Sequence, residues 1–141
     1  MKKVVIALAL SLVAVGLLGV PAMAAAVKLD LAPAPSTTGL TGSGFVVFNN
    51  SSGSKNMELT VSLKSAPANT TYEVWLENNG QPMPGSPVGK FTTNKAGNGN
   101  FHINMKMAPG TYNLGIDIAI GGGDQFVTSN VYGPAILITF K

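Results

Sequence analysis

Apolar and polar residues alternate strictly along three stretches of this chain. Met57, Leu59, Val61 and Leu63 fall on one side of an extended backbone, with Glu58, Thr60, Ser62 and Lys64 on the other. Phe101, Ile103, Met105 and Met107 repeat the pattern against His102, Asn104 and Lys106. Tyr112, Leu114, Ile116, Ile118 and Ile120 make the longest run, against Asn113, Gly115, Asp117 and Ala119. Side chains of a strand point to opposite faces in turn, so a period of two means one buried face, as in an antiparallel sheet. After residue 24 no segment holds a helical period for three turns. That part of the chain reads as all-β.

Shorter strands are predicted at 27–31, 44–49, 72–77, 88–93, 126–128 and 135–140. Asn49-Asn50-Ser51-Ser52-Gly53 and Asn94-Lys95-Ala96-Gly97-Asn98-Gly99 supply residues that tolerate positive φ and so turn the chain. Asn78-Asn79-Gly80, followed by Pro82, Pro84 and Pro87, reads as a longer exposed loop, since each proline removes a ladder donor. Strands at this spacing predict a single antiparallel β-sandwich of about seven to nine strands. Residues 32–38, Ala-Pro-Ala-Pro-Ser-Thr-Thr, read as a stiff connector. The expected layout is a first strand with its connector over 25–43 and the sandwich over 44–141.

The first 24 residues follow a different logic. Lys2 and Lys3 precede an apolar run from Val4 to Val20, which ends in Pro21-Ala22-Met23-Ala24. A positive start, an apolar core and a small-x-small end make a secretory signal peptide, cut between Ala24 and Ala25 or within two residues of there. Read as a membrane anchor, the run is near the lower length limit and is broken by Gly16, Gly19 and Pro21. No cysteine follows it to carry a lipid. The expectation is an exported protein, secreted or held at the cell surface or in the periplasm, with no membrane span after cleavage.

Export changes the charge balance. Of nine lysines two leave with the signal, so seven cations face six carboxylates, and there is no arginine. Without the guanidinium fork and with a net charge near zero, nucleic acid binding is not supported. The 117 residues from Ala25 onward can build a core without a metal or a disulfide. With zero cysteines, thiolate chemistry is excluded.

A weak repeat runs through the chain. Ala66-Pro67-Ala68-Asn69-Thr70-Thr71-Tyr72 and Ala108-Pro109-Gly110-Thr111-Tyr112 each leave one alternating strand, turn at a proline and enter another at a tyrosine. A corner tyrosine buries its ring while its hydroxyl bonds nearby backbone. The stretch from about 57 to 120 thus resembles the corners of immunoglobulin-like and fibronectin type III-like domains. The resemblance implies a sandwich, but the cysteine pair of antibody domains is missing. Trp75 falls where such domains carry a core tryptophan, yet shares a face with Glu73 and Glu77. Turning it inward would bury both carboxylates, so Tyr72, Val74 and Leu76 are expected inside.

The inventory for chemistry is thin. His102 is the only histidine. A hairpin through residues 108–111 would set it opposite Asp117 as a proton shuttle, whereas the corner reading separates the two. No nucleophile elbow accompanies them. The six carboxylates, Asp30, Glu58, Glu73, Glu77, Asp117 and Asp124, form no Asp-x-Asp-x-Asp loop, so no metal site is expected. Gly121-Gly122-Gly123-Asp124 lacks the lysine and helix of a phosphate cradle and reads as a loop. No catalytic residue and no cofactor are expected. The candidate ligand contacts are Trp75, Glu73 and Glu77, as an acidic-aromatic patch. The same residues also suit an edge strand protected by charge, with Trp75 covered by another segment. The leading expectation is a non-catalytic binding or adhesion module for an extracellular protein or carbohydrate. A self-associating structural subunit, adding the strand 27–31 to a neighbour's sheet, is the alternative, and a small hydrolase is disfavoured.

Overall fold

A computed structural model describes residues 25–50, 55–128, 130 and 135–141. The expected signal peptide, including Ala24, lies outside the described residues. Ten antiparallel strands follow in chain order. They are β1 (Ala25–Pro33), β2 (Ser43–Asn50), β3 (Asn56–Lys64), β4 (Thr71–Asn78), β5 (Gln81–Pro82), β6 (Gly89–Thr92), β7 (Gly99–Lys106), β8 (Gly110–Ile120), β9 (Gly123–Thr128) and β10 (Leu137–Phe140). All nine strands read from the sequence are present. Only the two-residue β5, where Pro82 sits opposite Glu77, was missed inside the proline-rich loop.

The ladders run in the order β5-β4-β8-β9-β1-β2-β3-β7, with β6 also on β4 and β10 also on β8. Hydrogen bonding is therefore continuous, and the sheet curls into a half-barrel around its own inner face. This all-β antiparallel arrangement is compatible with a sandwich. The inner face carries the core expected from the alternation: Met57, Leu59, Val61 and Leu63 of β3, and Leu114, Ile116 and Ile118 of β8 are buried. Tyr72, Val74 and Leu76 of β4 join them, with Val46 and Phe48 of β2, Leu29 and Leu31 of β1, and Phe126 of β9. Aromatic rings knit this core, Tyr72 packing on Phe91 and Phe126 with centroids 5.8 and 6.0 Å apart.

Two turns interlock at one end of the half-barrel. The Ala66 N–H donates to the Gly97 carbonyl at 3.1 Å, and the Thr93 hydroxyl donates to the Pro67 carbonyl at 2.6 Å. Gly97 has φ +75°, and a Cβ there would collide with the Ala66 carbonyl, so only glycine fits. Asn94 Oδ1 accepts from the N–H groups of Ala96 and Asn98 and folds the turn before β7.

The connector after the first strand is shorter than expected. β1 runs on to Pro33, and the Ala34 carbonyl then accepts from both the N–H and the hydroxyl of Thr37, which turns the chain. β1 itself bridges β2 and β9: residues 25–31 pair with β2, and residues 31–33 pair with β9.

Candidate functional site

The outer face of β4, β8 and β9 holds most of the chain's polar chemistry. Register puts its side chains in rows. Trp75 lies opposite Asp117, which lies opposite Val127; Glu73 lies opposite Ala119; and Glu77 lies opposite Gly115. A β-bulge between Ile118 and Ala119 shifts the β8–β9 register by one residue, so that Asp124 instead of Gln125 pairs with Ala119. The slip turns Asp124 onto the outer face beside Asp117, as bulges re-aim side chains elsewhere.

Trp75 is half-buried, between the two expectations for it. Its Nε1–H donates to Glu73 Oε2 at 3.4 Å, and Glu73 Oε1 meets Lys90 Nζ of β6 at 2.9 Å. The Lys90 ammonium, the Trp75 N–H and the Gly122 backbone N–H hold the Glu73 carboxyl below the usual glutamate range. Glu73 thus stays ionised and anchors the indole. The Gly121–Gly123 loop takes part through that Gly122 amide.

Glu77 departs from the surface patch expected of it. It is buried and lies diagonally next to Asp117 on the same face, with Asp124 brought to that side by the bulge. Burial is the main force pushing both acids up, Asp117 to about 8. The carboxylates are scattered along the sequence, and strand pairing brings three of them together. The only trace in the sequence is Asp117 on the longest alternating strand, at the right parity to face the β4 glutamates.

β4 is not an edge strand. β8 covers one side, and the proline-rich loop closes the other: the Leu76 carbonyl accepts from the Met83 N–H at 2.8 Å and from the Ser86 hydroxyl at 2.9 Å, while Ser86 Oγ accepts from the Leu76 N–H. Charge is not needed to protect this edge, so the edge-strand account of Glu73 and Glu77 does not apply.

His102 and Asp117 are far apart in the pairing scheme, because β7 pairs with β3 and β8 with β4. The His102 ring is exposed, its Nδ1 3.1 Å from the Thr60 hydroxyl and its Nε2 3.5 Å from Glu58 Oε1. The corner reading survives in one place. The Tyr112 hydroxyl donates to the Ala108 carbonyl at 3.0 Å.

Among the described residues, no group of His, Cys, Asp and Glu side chains is arranged to hold a metal ion, and no helix is long and apolar enough to cross a membrane. A cavity of about 330 Å³, lined by Asn56, Asn104, Met105 and Lys106, lies along the β3–β7 pair and does not include the Trp75 face. Comparison with family models, with characterised proteins and with solved structures found no match.

Proposed function

We propose that this chain is an exported, non-catalytic recognition module that offers the face around Trp75 to a carbohydrate or a protein outside the membrane. One observation carries the reading: a half-buried indole is anchored through its N–H to Glu73, which Lys90 holds in turn. An aromatic ring fixed before a partner arrives loses little entropy on binding, and such residues dominate recognition surfaces. The ionised carboxylate beside it accepts from sugar hydroxyls or from a partner's N–H groups. Export rests on the pattern of residues 2–24. Glu77, turned toward Asp117, acts beneath this face and not as a direct contact.

Trp75 is the only tryptophan, so its emission reports on this face alone. Soluble glucans, chitin oligosaccharides and peptidoglycan fragments are titrated into the mature protein, and retention on isolated cell envelopes is measured in parallel. A saturable change in emission or retention, abolished in a folded Trp75→Ala variant, is the expected result. Unchanged emission with no retention, or binding that survives the substitution, defeats the reading.

A second reading has its own support. Among the described residues β7 pairs only with β3, so its outer edge is open to an added strand. A structural subunit built through that edge would give a concentration-dependent ladder in size-exclusion chromatography, and a recognition module a single monomer peak. The strand 27–31, the other candidate donor, pairs with β2 along its whole length and with β9 only at Leu31, so donating it to a neighbour would first cost the β2 ladder.

A further inference from the structure

Glu77 and Asp117 sit where an anion is hard to keep. They are only 5% and 7% exposed, on neighbouring strands and on the same face of the sheet. Register sets them diagonally adjacent, with Asp117 opposite Trp75 and Glu77 opposite Gly115, and the bulge brings Asp124 to the same side. Ionised carboxylates can only accept, so two of them side by side satisfy each other only when one carries a proton to donate. A second observation points the same way. Glu77 Oε2 and Asp117 Oδ1 are sealed from solvent and receive no hydrogen bond from any N–H or O–H. Two ionised carboxylates left in that state are strongly disfavoured, and buried acids so placed neutralise instead.

Among the described residues no counter-charge pairs with them. Lys90 is the only cation on β4, β6, β8 and β9, and it is engaged with Glu73 at 2.9 Å. Asp124 of β9 adds further negative charge. Asp30 and Lys28 are the charged residues of β1, beyond β9, and Lys28 Nζ rests 4.5 Å over the Phe45 ring.

We propose that Glu77 and Asp117 hold one proton between them at neutral pH, and that its loss in mild alkali is a built-in switch loosening the β4–β8–β9 face beneath Trp75. The proposal goes beyond the recognition reading and does not depend on any ligand. The electrostatics agree: burial, then the neighbouring Glu77 carboxyl, move the Asp117 carboxyl to about 8, and burial raises Glu77 too. A raised folded-state value means the folded chain binds more protons than the unfolded one across the interval. The contribution to stability is complete below the ordinary aspartate range, falls as pH rises, and is lost above about 8.

The test is thermal unfolding of the mature protein between about pH 5 and pH 9.5, followed by Trp75 emission. Infrared spectra of the carboxylic acid C=O stretch are taken across the same range. The wild type is expected to lose at least about 5 °C in Tm between pH 6 and 9. It is also expected to show a protonated-carboxyl band at pH 7 that disappears in alkali. Asp117→Asn replaces the proton with a permanent donor, so its Tm is expected to be nearly flat over that range. If that variant fails to fold, Glu77→Gln and the wild-type infrared band decide. A pH-independent wild-type Tm, a folded variant that falls as steeply, or no protonated band at pH 7 each overturns the proposal. Calcium or magnesium that restores the alkaline Tm of the wild type but not of Asp117→Asn would also overturn it, in favour of a metal.

Discussion

Tyr112 donates its phenol hydrogen to the Ala108 carbonyl at 3.0 Å and sets its ring edge-on to Phe140, with centroids 5.8 Å apart. Tyr112→Phe keeps the ring and removes the bond. A loss of about 0.5–1 kcal/mol is expected from denaturant midpoints, toward the low end because the corner is partly exposed. Tyr72 stands at the matching place in the sequence repeat but differs in the fold. Its hydroxyl is buried without a well-formed hydrogen bond. Burial raises its pKa, and the nearby Thr70 side chain only partly opposes this. Tyr72→Phe is therefore expected to be neutral or to stabilise by up to about 1 kcal/mol, since it relieves a buried hydroxyl of a desolvation cost. A loss at position 72 equal to that at 112 would contradict the difference between the corners. The tyrosines and their corners were legible as a pattern. Which hydroxyl finds a carbonyl was not, because that depends on an ångström-scale placement of backbone four residues away.

At the scale of elements, β8 carries the most information. Leu114, Ile116 and Ile118 are fully buried on its inner face, as the alternation requires. Truncating Leu114 or Ile116 to alanine leaves a cavity and is expected to cost about 2–5 kcal/mol in chemical denaturation. The other face departs from the simple pattern. Gly115, Asp117 and Ala119 are buried as well, because β8 is a central strand with β4 on one side and β9 and β10 on the other. Asn113, expected to be a neutral outward position, is a junction. Its N–H donates to Asn78 Oδ1, and its own Oδ1 accepts from the Ile136 N–H and from Asn130 Nδ2. Asn113→Ala would strand the Ile136 N–H and leave Asn130 with only its bond to the Leu114 carbonyl, and is expected to cost about 1–3 kcal/mol. A change below about 0.5 kcal/mol, typical of a free surface site, would show that the junction does not contribute. Period two reveals which residues share a face. It is blind to what lies over that face.

For the whole molecule, the first expectation concerns processing. Mass spectrometry of the exported product should find the chain starting at Ala25 or within two residues of it, and an intact Met1 on membrane-bound material would end the export reading. Ala25 lies opposite Asn50 in the β1–β2 ladder, so a chain that starts there keeps that pairing. By itself the sequence determined the all-β class, nine of the ten strands, and the inward faces of β3, β4, β7 and β8, because alternation and turn chemistry are local and survive without knowledge of partners. It also showed that Tyr72, Val74 and Leu76 point inward, since the alternative would bury Glu73 and Glu77 together. Only the tertiary structure decided which strands pair. That choice removed the His102–Asp117 couple, placed β1 between β2 and β9, and let the bulge at Ile118 turn Asp124 toward Asp117. Carboxylates forty residues apart became neighbours in a dry place, so that Glu77 was buried after all. The physical reason is range: a side chain's parity is set by the residues beside it, but its dielectric surroundings and its proton are set by strands that the chain reaches only after folding.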